Sequence, residues 1–459
     1  MIIQILLPEI KELFDKRDFA TIKEVLMDWN PADVADFISL LGNKDRVLIF
    51  RILPKEYATD VFEYLHTDLQ YYLIKSMGDS EIAVILNEMD PDDRTSLFEE
   101  IPAQVAKQLI MNLSNDERTI AQKLLGYPEN SVGRLMTPKY ISVRGQWTIN
   151  EVFKFIRENG KNSETLEMIY VIDERGKLLD DIKIIDILLA QPDAIIKDLM
   201  DENFITLNVN DDQETALHVF KKYDRNTIPV TDSSGILIGI VTSDDILDVA
   251  EEEATEDIQK GAAVRTLEEP YHSTSLFDMV KKRVSWLSIL FLSEMLTTTA
   301  MQFFESELSK AVILAVFIPL IISSGGNSGS QASSLVIRAL ALREISIKDW
   351  FKVFKKEIIT GLLLGIILGL IGFIRVSAAQ LISSSFGIHW LLIAATIAVS
   401  IVGVVAWGTL MGSMLPLIIK KLGFDPATSS APFVATLVDV TGLIIYFSVA
   451  MLVLRGSLL

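Results

Sequence analysis

Cysteine is absent from this chain of 459 residues, and histidine occurs only four times. Without cysteine the chain forms no disulfide and no thiolate metal site, and four scattered histidines argue against a zinc site. A hard-cation site made of oxygen ligands remains open. The sequence contains no evident nucleophile–base pair and no cluster of metal ligands that would indicate an enzyme, so no catalytic residue is predicted.

Positive charge is scarce in the first 270 residues. They contain 28 Lys and Arg against 52 Asp and Glu, a net charge of −24, whereas residues 271–459 contain 14 against 9, a net charge of +5. Such a division predicts a soluble acidic half followed by a membrane half. The acidic half lacks the basic surface that a nucleic acid requires, which excludes nucleic acid as its partner. It suits cation binding, or simply solubility.

Residues 1–130 are predicted to form an all-helical domain with a weak short repeat. In units such as Leu53–Ala58 and Ile101–Ala106, a proline opens a helix and aliphatic residues follow at helical spacing. Short helix pairs repeated in this way stack into a superhelix. Most acids here are expected to favour helix N-termini. The apolar start Met1–Ile10 is expected to begin a helix, because a signal peptide would carry a basic flank.

Residues 131–250 contain two similar segments at an offset of 64 residues, each followed by helix, strand, turn, strand and helix. They resemble a tandem pair of CBS domains, an α/β fold, and the second copy ends in Thr242-Ser-Asp-Asp245. The resemblance implies an adenine nucleotide such as ATP, with Thr242 and Asp245 on its phosphate and ribose. The first copy carries Lys183-Ile-Ile-Asp186 at this place and lacks the hydroxyl.

Residues 251–280 are predicted to form a linker, or plug, helix. Its polar residues recur at helical spacing on two faces, with Glu252, Glu256 and Gln259 on one and Glu253 and Asp257 on the other. Like charges at that spacing repel, so the helix is strained without counter-charges. Two interpretations stay open, a solvated acidic helix and a helix that cations stabilise.

Residues 281–459 contain five apolar spans, each longer than the ~20 residues that cross a bilayer. The spans are 284–304, 311–342, 358–383, 388–419 and 429–454. Lysine and arginine concentrate before the first span, between the second and third, and after the fourth. By the positive-inside rule, those connections are expected on the cytoplasmic side of the membrane. We therefore predict a multi-pass protein of the cell (inner) membrane, with a cytoplasmic N-terminal half and an external C-terminus.

The second span contains the stretch Pro319–Gln331, PLIISSGGNSGSQ. Its proline and glycines weaken a helix, so the sequence predicts a broken helix that lines a path through the membrane. The alternative is a helix–helix packing face, where small residues are common. Asn327 and Gln331 lie four residues apart, on one helical face, and favour the path.

Acids within membrane spans are candidates for function. Asp439 has Thr436 three residues before it and Gly442 three residues after it, which gives a polar, narrow stripe. Glu294 lies near the middle of the first span, where it could neighbour the path or pair at a subunit contact. Two Asp439 carboxylates from symmetry-related chains would make a divalent-cation site, and Mg²⁺ is the natural occupant if it is held through water.

The order of these parts resembles the MgtE family of Mg²⁺ channels along the whole chain. The motifs that carry the resemblance are Gly325–Gln331, Phe433–Gly442, Phe424–Ala427 and Glu253–Ile258. The resemblance implies a homodimer with a pore between the second and fifth spans, in which Asp439 of both chains holds hydrated Mg²⁺. Glu294 departs from the family pattern, because a small or apolar residue would be expected there.

The resemblance also implies that Mg²⁺ bound to cytoplasmic acids closes the pore. The residues carried over as metal ligands are Asp92, Asp93, Glu214, Asp224, Asp245, Asp248, Glu256, Asp257, Asp425 and, in the pore, Asp439. The predicted pore residues are Gly325, Gly326, Asn327, Gln331, Thr436 and Asp439.

The sequence thus predicts a Mg²⁺-selective channel that admits the ion down its electrochemical gradient. At low internal Mg²⁺, repulsion within the acidic half would separate its domains and withdraw the linker helix, and bound ions would reverse this. Two alternatives remain open. One is a secondary transporter driven by protons or sodium, for which midplane acids are also typical. The other is a membrane-bound nucleotide sensor that signals through its CBS pair.

Overall fold

The computed structural model describes residues 10, 12–14, 16–267, 271, 274–383, 386–429 and 431–455. The chain falls into two compact units, Met1–Glu252 and Glu253–Leu459. The helix predicted to begin at Met1 lies largely outside the described residues.

Short helices with buried apolar faces form the first part of the first unit. Their bounds are α1 Phe19–Met27, α2 Pro31–Ser39, α3 Asn43–Ile52, α4 Lys55–Glu63, α5 Thr67–Ser76, α6 Asp79–Glu88, α7 Pro91–Glu100, α8 Ala103–Asn112 and α9 Asn115–Leu124. Side chains cap several N-termini, as Asn30 does for α2 and Ser114 for α9. Alternate helices pack on one another, α2 on α4, α4 on α6 and α6 on α8. This stacking is the predicted superhelix.

Two similar α/β repeats complete the first unit. The elements are α10 Val132–Leu135, β1 Ser142–Val143, α11 Ile149–Asn159, β2 Met168–Ile172, β3 Leu178–Lys183 and α12 Ile184–Leu189, then β4 Leu207–Asn208, α13 Gln213–Tyr223, β5 Thr227–Thr231, β6 Leu237–Thr242 and α14 Ser243–Gly261. In each sheet the first strand is parallel to the second, and the second is antiparallel to the third. The repeated topology agrees with the predicted CBS pair. Helix α14 extends the second repeat without interruption into the acidic linker.

The second unit contains five described helices long and apolar enough to cross a membrane, as predicted. They are α15 Leu276–Phe303, α17 Ile318–Ala341, α18 Trp350–Ser383, α19 Trp390–Lys421 and α20 Ala431–Leu454, and the short α16 Glu305–Lys310 lies between the first two. Helix α19 packs against α17, α18 and α20, and α15 packs against α20. The centre of this unit is therefore α19, with α15 at its margin.

The predicted break in the second membrane helix is wrong. Helix α17 runs continuously through Pro319–Gln331, because Pro319 lies in its first turn, where no backbone hydrogen bond is lost. The glycines serve close packing. A Cβ atom at Gly325 would lie 2.5 Å from Val404 Cγ1, and one at Gly329 would lie 2.8 Å from the Gly408 carbonyl oxygen. The packing face that was the alternative interpretation thus accounts for these two glycines.

Candidate cation path and cation-binding acids

Helix α17 has a polar face opposite its glycine-packed face. Ser323, Asn327 and Gln331 are exposed at a spacing of four residues, and Asn327 Nδ2 donates to Ser323 Oγ at 3.4 Å. On the buried side, Ser328 and Thr409 hydroxyls lie 2.6 Å apart. Exposed amides at membrane depth require water or a protein partner, because lipid offers no hydrogen bonds. This face therefore has the surface chemistry of an aqueous path.

Asp439 lies on α20 beside the same part of α17. A Cβ atom at Gly326 would be 4.0 Å from Asp439 Oδ1 and 3.6 Å from the Ala435 Cβ atom, so glycine leaves the carboxyl group a direct approach to the α17 backbone. Asp439 is half-buried. Its neighbour Gly326 immediately precedes the exposed Asn327 in α17. The structure thus brings two predicted pore residues together, Gly326 and Asp439, and Asn327 is the next residue of α17 after Gly326.

Thr436 and Glu294 lie at the contact between α20 and α15. Thr436 Oγ1 donates to the Pro432 carbonyl oxygen of its own helix at 2.9 Å, and it lines a cavity of about 690 Å³ together with Glu294. The Glu294 carboxyl group is close enough to interact electrostatically with the Asp439 carboxyl group. Within the single chain, Glu294 thus lies on the side of α15 that packs against the helix of Asp439.

A second cluster of acids lies within the first unit, between the helical domain and the CBS pair. Oxygen atoms of Glu63, Asp90 and Asp93 all lie within 4.8 Å of one another. Asp90 is hydrogen-bonded to Lys139, and its backbone N–H donates to Glu63 Oε1 at 3.0 Å. Carboxylate oxygens at this spacing suit Mg²⁺ or Ca²⁺.

Burial and mutual repulsion disfavour the charged forms in this cluster. Burial raises the pKa of Glu63 to about 7, and burial together with Glu63 and Asp90 raises the pKa of Asp93 to about 8. Burial likewise raises the pKa of Glu164 to about 7. The pKa of Asp92 also lies well above its ordinary value, first because of burial and then because of Asp245. A cation would remove much of this penalty.

The sequence predicted Asp92, Asp93 and Asp245 as ligands, and the structure places them near one another. It adds Glu63, Asp90, Glu164 and Asp244, which sequence reasoning missed as ligands. Asp90 is at the N-cap position of α7, but its side chain forms no capping hydrogen bond. Glu63 ends α4, and nothing in its local sequence distinguishes it from a solvated acid.

Thr242 and Asp245, the predicted nucleotide ligands, bind each other. Thr242 Oγ1 donates to Asp245 Oδ2 at 2.8 Å. Burial raises the pKa of Asp245 to about 8, opposed by the Thr242 hydrogen bond and reinforced by Asp244 and Asp93. Asp245 therefore takes part both in the predicted nucleotide motif and in the cluster of acids.

Of the other predicted ligands, Glu214 and Asp224 lie on a different helix, whereas Asp248 is one turn after Asp244. Glu214 is in the first turn of α13 and Asp224 is its C-cap, about 15 Å apart along the 11-residue helix. One ion within a single chain cannot bind both. Asp224 borders a cavity of about 60 Å³ with Lys183 and Arg225, a volume far below that of a nucleotide pocket. Asp248 is exposed on α14.

The second unit contains three of the acids predicted as metal ligands, Glu256, Asp257 and Asp425. Lys260 Nζ lies 2.7 Å from Asp425 Oδ2 and also pairs with Glu256, so one ammonium joins the linker helix to the turn before α20. Asp425 also accepts from the Ala427 backbone N–H at 2.9 Å. Asp257 follows Glu256 on the same helix. The strained acidic helix thus has a counter-charge from its own lysine.

Family models match most of the chain. The model described as a divalent cation transporter, MgtE, matches residues 318–449, the MgtE intracellular N domain matches 29–130, and the CBS domain matches 132–193 and 196–252.

Two similar curated proteins are both called magnesium transporter MgtE. The one from Thermus thermophilus is 36% identical over 455 residues, covering 97% of this chain and 98% of the relative. The one from Bacillus subtilis is 28% identical over 434 residues, covering 95% and 93%.

Two solved structures each resemble about half of this chain. The cytosolic domain of the Mg²⁺ channel MgtE in complex with ATP is 30% identical, with a TM-score of 0.50, and covers 52% of this chain and 98% of its own. The soluble part of a magnesium transporter is 26% identical, with a TM-score of 0.52, and covers 55% and 99%.

Proposed function

The chain belongs to the MgtE family of magnesium transporters, and from this premise we propose that it is a homodimeric Mg²⁺ channel gated by cytoplasmic Mg²⁺. The carrying observation is the half-buried Asp439 carboxyl group beside Gly326 and the exposed Asn327. A carboxyl group at this depth needs a partner cation or water. Symmetry would supply a second copy, and the pair would hold one hydrated Mg²⁺.

In this proposal the path runs along the polar face of α17 and the Asp439 side of α20. Asn327, Gln331 and Thr436 present oxygens that hydrogen-bond to the water shell of the ion. Asp439 supplies the charge that attracts it. The N-terminal half is cytoplasmic and the C-terminus external, which follows from the distribution of lysine and arginine.

The test is Mg²⁺ uptake into liposomes that contain the purified protein. Asp439→Asn keeps the size of the side chain and removes its charge, and we expect uptake to fall at least about a hundredfold, because two charges leave the dimer axis. Asp278→Asn, an exposed N-terminal residue of α15, is the matched control and should transport like the unmodified chain. Unchanged uptake in Asp439→Asn would refute the pore assignment.

The gate in this proposal is the set of cytoplasmic acids. Mg²⁺ would bridge Asp92 and Asp93 of the helical domain to Asp245 of the CBS pair, and would join Glu256 or Asp257 to Asp425. Each bridge removes the repulsion that disfavours the closed form. Several weak sites acting together can shift the population of the closed state, because the ion binds that state more tightly.

Nucleotide binding by the CBS pair is part of the proposal. The ATP-bound relative supports nucleotide binding by the CBS pair, which isothermal titration calorimetry with ATP would measure.

A coupled transporter is the second candidate, favoured by the proximity of Glu294 and Asp439. A current that reverses at the Mg²⁺ Nernst potential, independently of pH and Na⁺, excludes it, whereas a reversal that moves with pH or Na⁺ excludes the channel.

A further inference from the structure

We propose that Glu294 supplies a second carboxylate to the cation path, so that each chain contributes two acids to ion selection in place of one. The proposal rests on the proposed pore function of Asp439. Glu294 lies on α15, a helix that the sequence alone does not place near the path.

The first observation is the contact itself. Helix α15 packs against α20, which brings the Glu294 carboxyl group close enough to interact electrostatically with the Asp439 carboxyl group. Glu294 also borders the cavity of about 690 Å³ that Thr436 lines from α20. Glu294 therefore shares its surroundings with two residues of the proposed path.

The second observation is exposure at membrane depth. Glu294 is the nineteenth residue of the 28-residue α15, and its side chain is exposed in the single chain. One turn further along, Thr297 is only 9% exposed, and its hydroxyl has no hydrogen-bond partner among the described residues. An exposed carboxyl group and an unpaired hydroxyl on one face require a polar neighbour. The Asp439 carboxyl group, with the hydrated cation that it holds in the proposed function, provides it.

The physical consequence is a stronger local field. A divalent cation is attracted twice as strongly as a monovalent one by each added carboxylate. A second acid beside Asp439 therefore lowers the Mg²⁺ concentration needed to occupy the path and increases discrimination against Na⁺ and K⁺. Glu294 is a specificity-determining residue in this account.

The experiment compares Glu294→Gln, Glu294→Asp and Glu305→Gln in flux measurements on the full chain. Glutamine preserves shape and hydrogen bonding but removes the charge. We expect Glu294→Gln to raise the half-saturating Mg²⁺ concentration about tenfold, the effect of one carboxylate on a divalent ion about 6 Å away, and to lower the Mg²⁺-to-Na⁺ permeability ratio. Glu294→Asp should retain most of both properties.

Glu305→Gln removes an equal charge from the exposed end of the next helix and controls for surface potential, which salt screens within about 8 Å. If Glu294 merely supports Asp439 by a hydrogen bond, Glu294→Gln will match the unmodified chain, and the proposal is overturned. Absence of flux in the unmodified chain, or normal flux in Asp439→Asn, would instead contradict the proposed function.

Discussion

Glycine positions on α17 have different roles that depend on which neighbour each one meets. Gly325 and Gly329 face α19, where Gly408 and Gly412 face them in turn, so two helix backbones approach closely. Gly326 has ordinary contact distances and lies by Asp439. The four glycines that pair, Gly325 and Gly329 with Gly408 and Gly412, are all visible in the sequence. Their pairing nevertheless depends on a helix about 80 residues further along. For that reason the sequence suggested a broken helix where the structure has a packed one.

At this scale we predict that Gly412→Ala destabilises the membrane unit. Its Cβ atom would overlap the backbone of Gly329, which moves only if the helices separate. The expected cost is about 1–3 kcal/mol, the usual range for overpacking, and appears as a lower melting temperature in detergent. Gly326→Ala is the control, because its nearest neighbour would be 3.6 Å away. Equal melting temperatures for the two variants would contradict the packing described for α17 and α19.

The neighbours of Glu294 depend on which helix α15 packs against. Its sequence position marked it as unusual, yet its neighbour could not be derived, because nothing local specifies which helix α15 packs against. Asp439 was identifiable from sequence because a lone acid in an apolar span is rare. Contact between the two is a property of the α15–α20 pair.

At the scale of elements, the acidic cluster joins α4, α7 and the start of α14. Sequence reasoning selected Asp92, Asp93 and Asp245 by resemblance, and Glu63 and Glu164 come from elements distant in sequence. Asp245 belongs both to the predicted nucleotide motif and to this cluster. Burial that depends on how several elements pack could not be predicted from any one of them.

The cluster gives a prediction for pH. Burial holds the folded-state pKa values of Glu63, Asp93, Glu164 and Asp245 near 7 to 8, above the roughly 4 of unfolded carboxyl groups. The folded state thus binds more protons, so its stability is highest below about pH 4 for these groups and is lost as pH rises towards 8. Without divalent cations, we expect the temperature of the protein's first thermal transition to decrease as the pH is raised from 5 to 8.

Mg²⁺ should take the place of the lost protons. Millimolar Mg²⁺ is expected to raise this transition strongly at pH 8 and little at pH 5, measured by differential scanning calorimetry of the full chain in detergent. Asp93→Asn should reduce both the pH dependence and the Mg²⁺ effect, whereas Asp116→Asn, an exposed acid of α9, should change neither. An Mg²⁺ effect of equal size at both pH values would argue against the cluster as a cation site.

For the whole molecule, charge and hydropathy were sufficient to divide the chain. The net charge of −24 before residue 271 predicted a soluble half, and five apolar runs predicted five membrane helices, all of which the structure contains. These properties are sums over many residues and do not depend on the contact of any one. The order of helical domain, CBS pair, linker and five spans then indicated the family.

The account attributes opposite demands to the two units. The acids of the first unit are crowded and hold charge at a cost that cations remove, while the membrane acids Asp439 and Glu294 are few and, in the proposed function, attract a cation from water. One ion can therefore be both cargo and regulator, at sites with different chemistry. In the proposed function, the gate responds to internal Mg²⁺ because its acids accept the ion only as they come together.

The central claim is that paired Asp439 carboxylates hold a hydrated divalent ion in the path. The most direct measurement is a structure of the full-length protein in lipid with Mn²⁺, located by its anomalous scattering. We expect one peak on the two-fold axis between the two Asp439 side chains, too far from their oxygens for direct coordination, and no peak in Asp439→Asn. Asp439 side chains that face lipid or lie apart without an ion, in a protein that still transports Mg²⁺, would contradict the account.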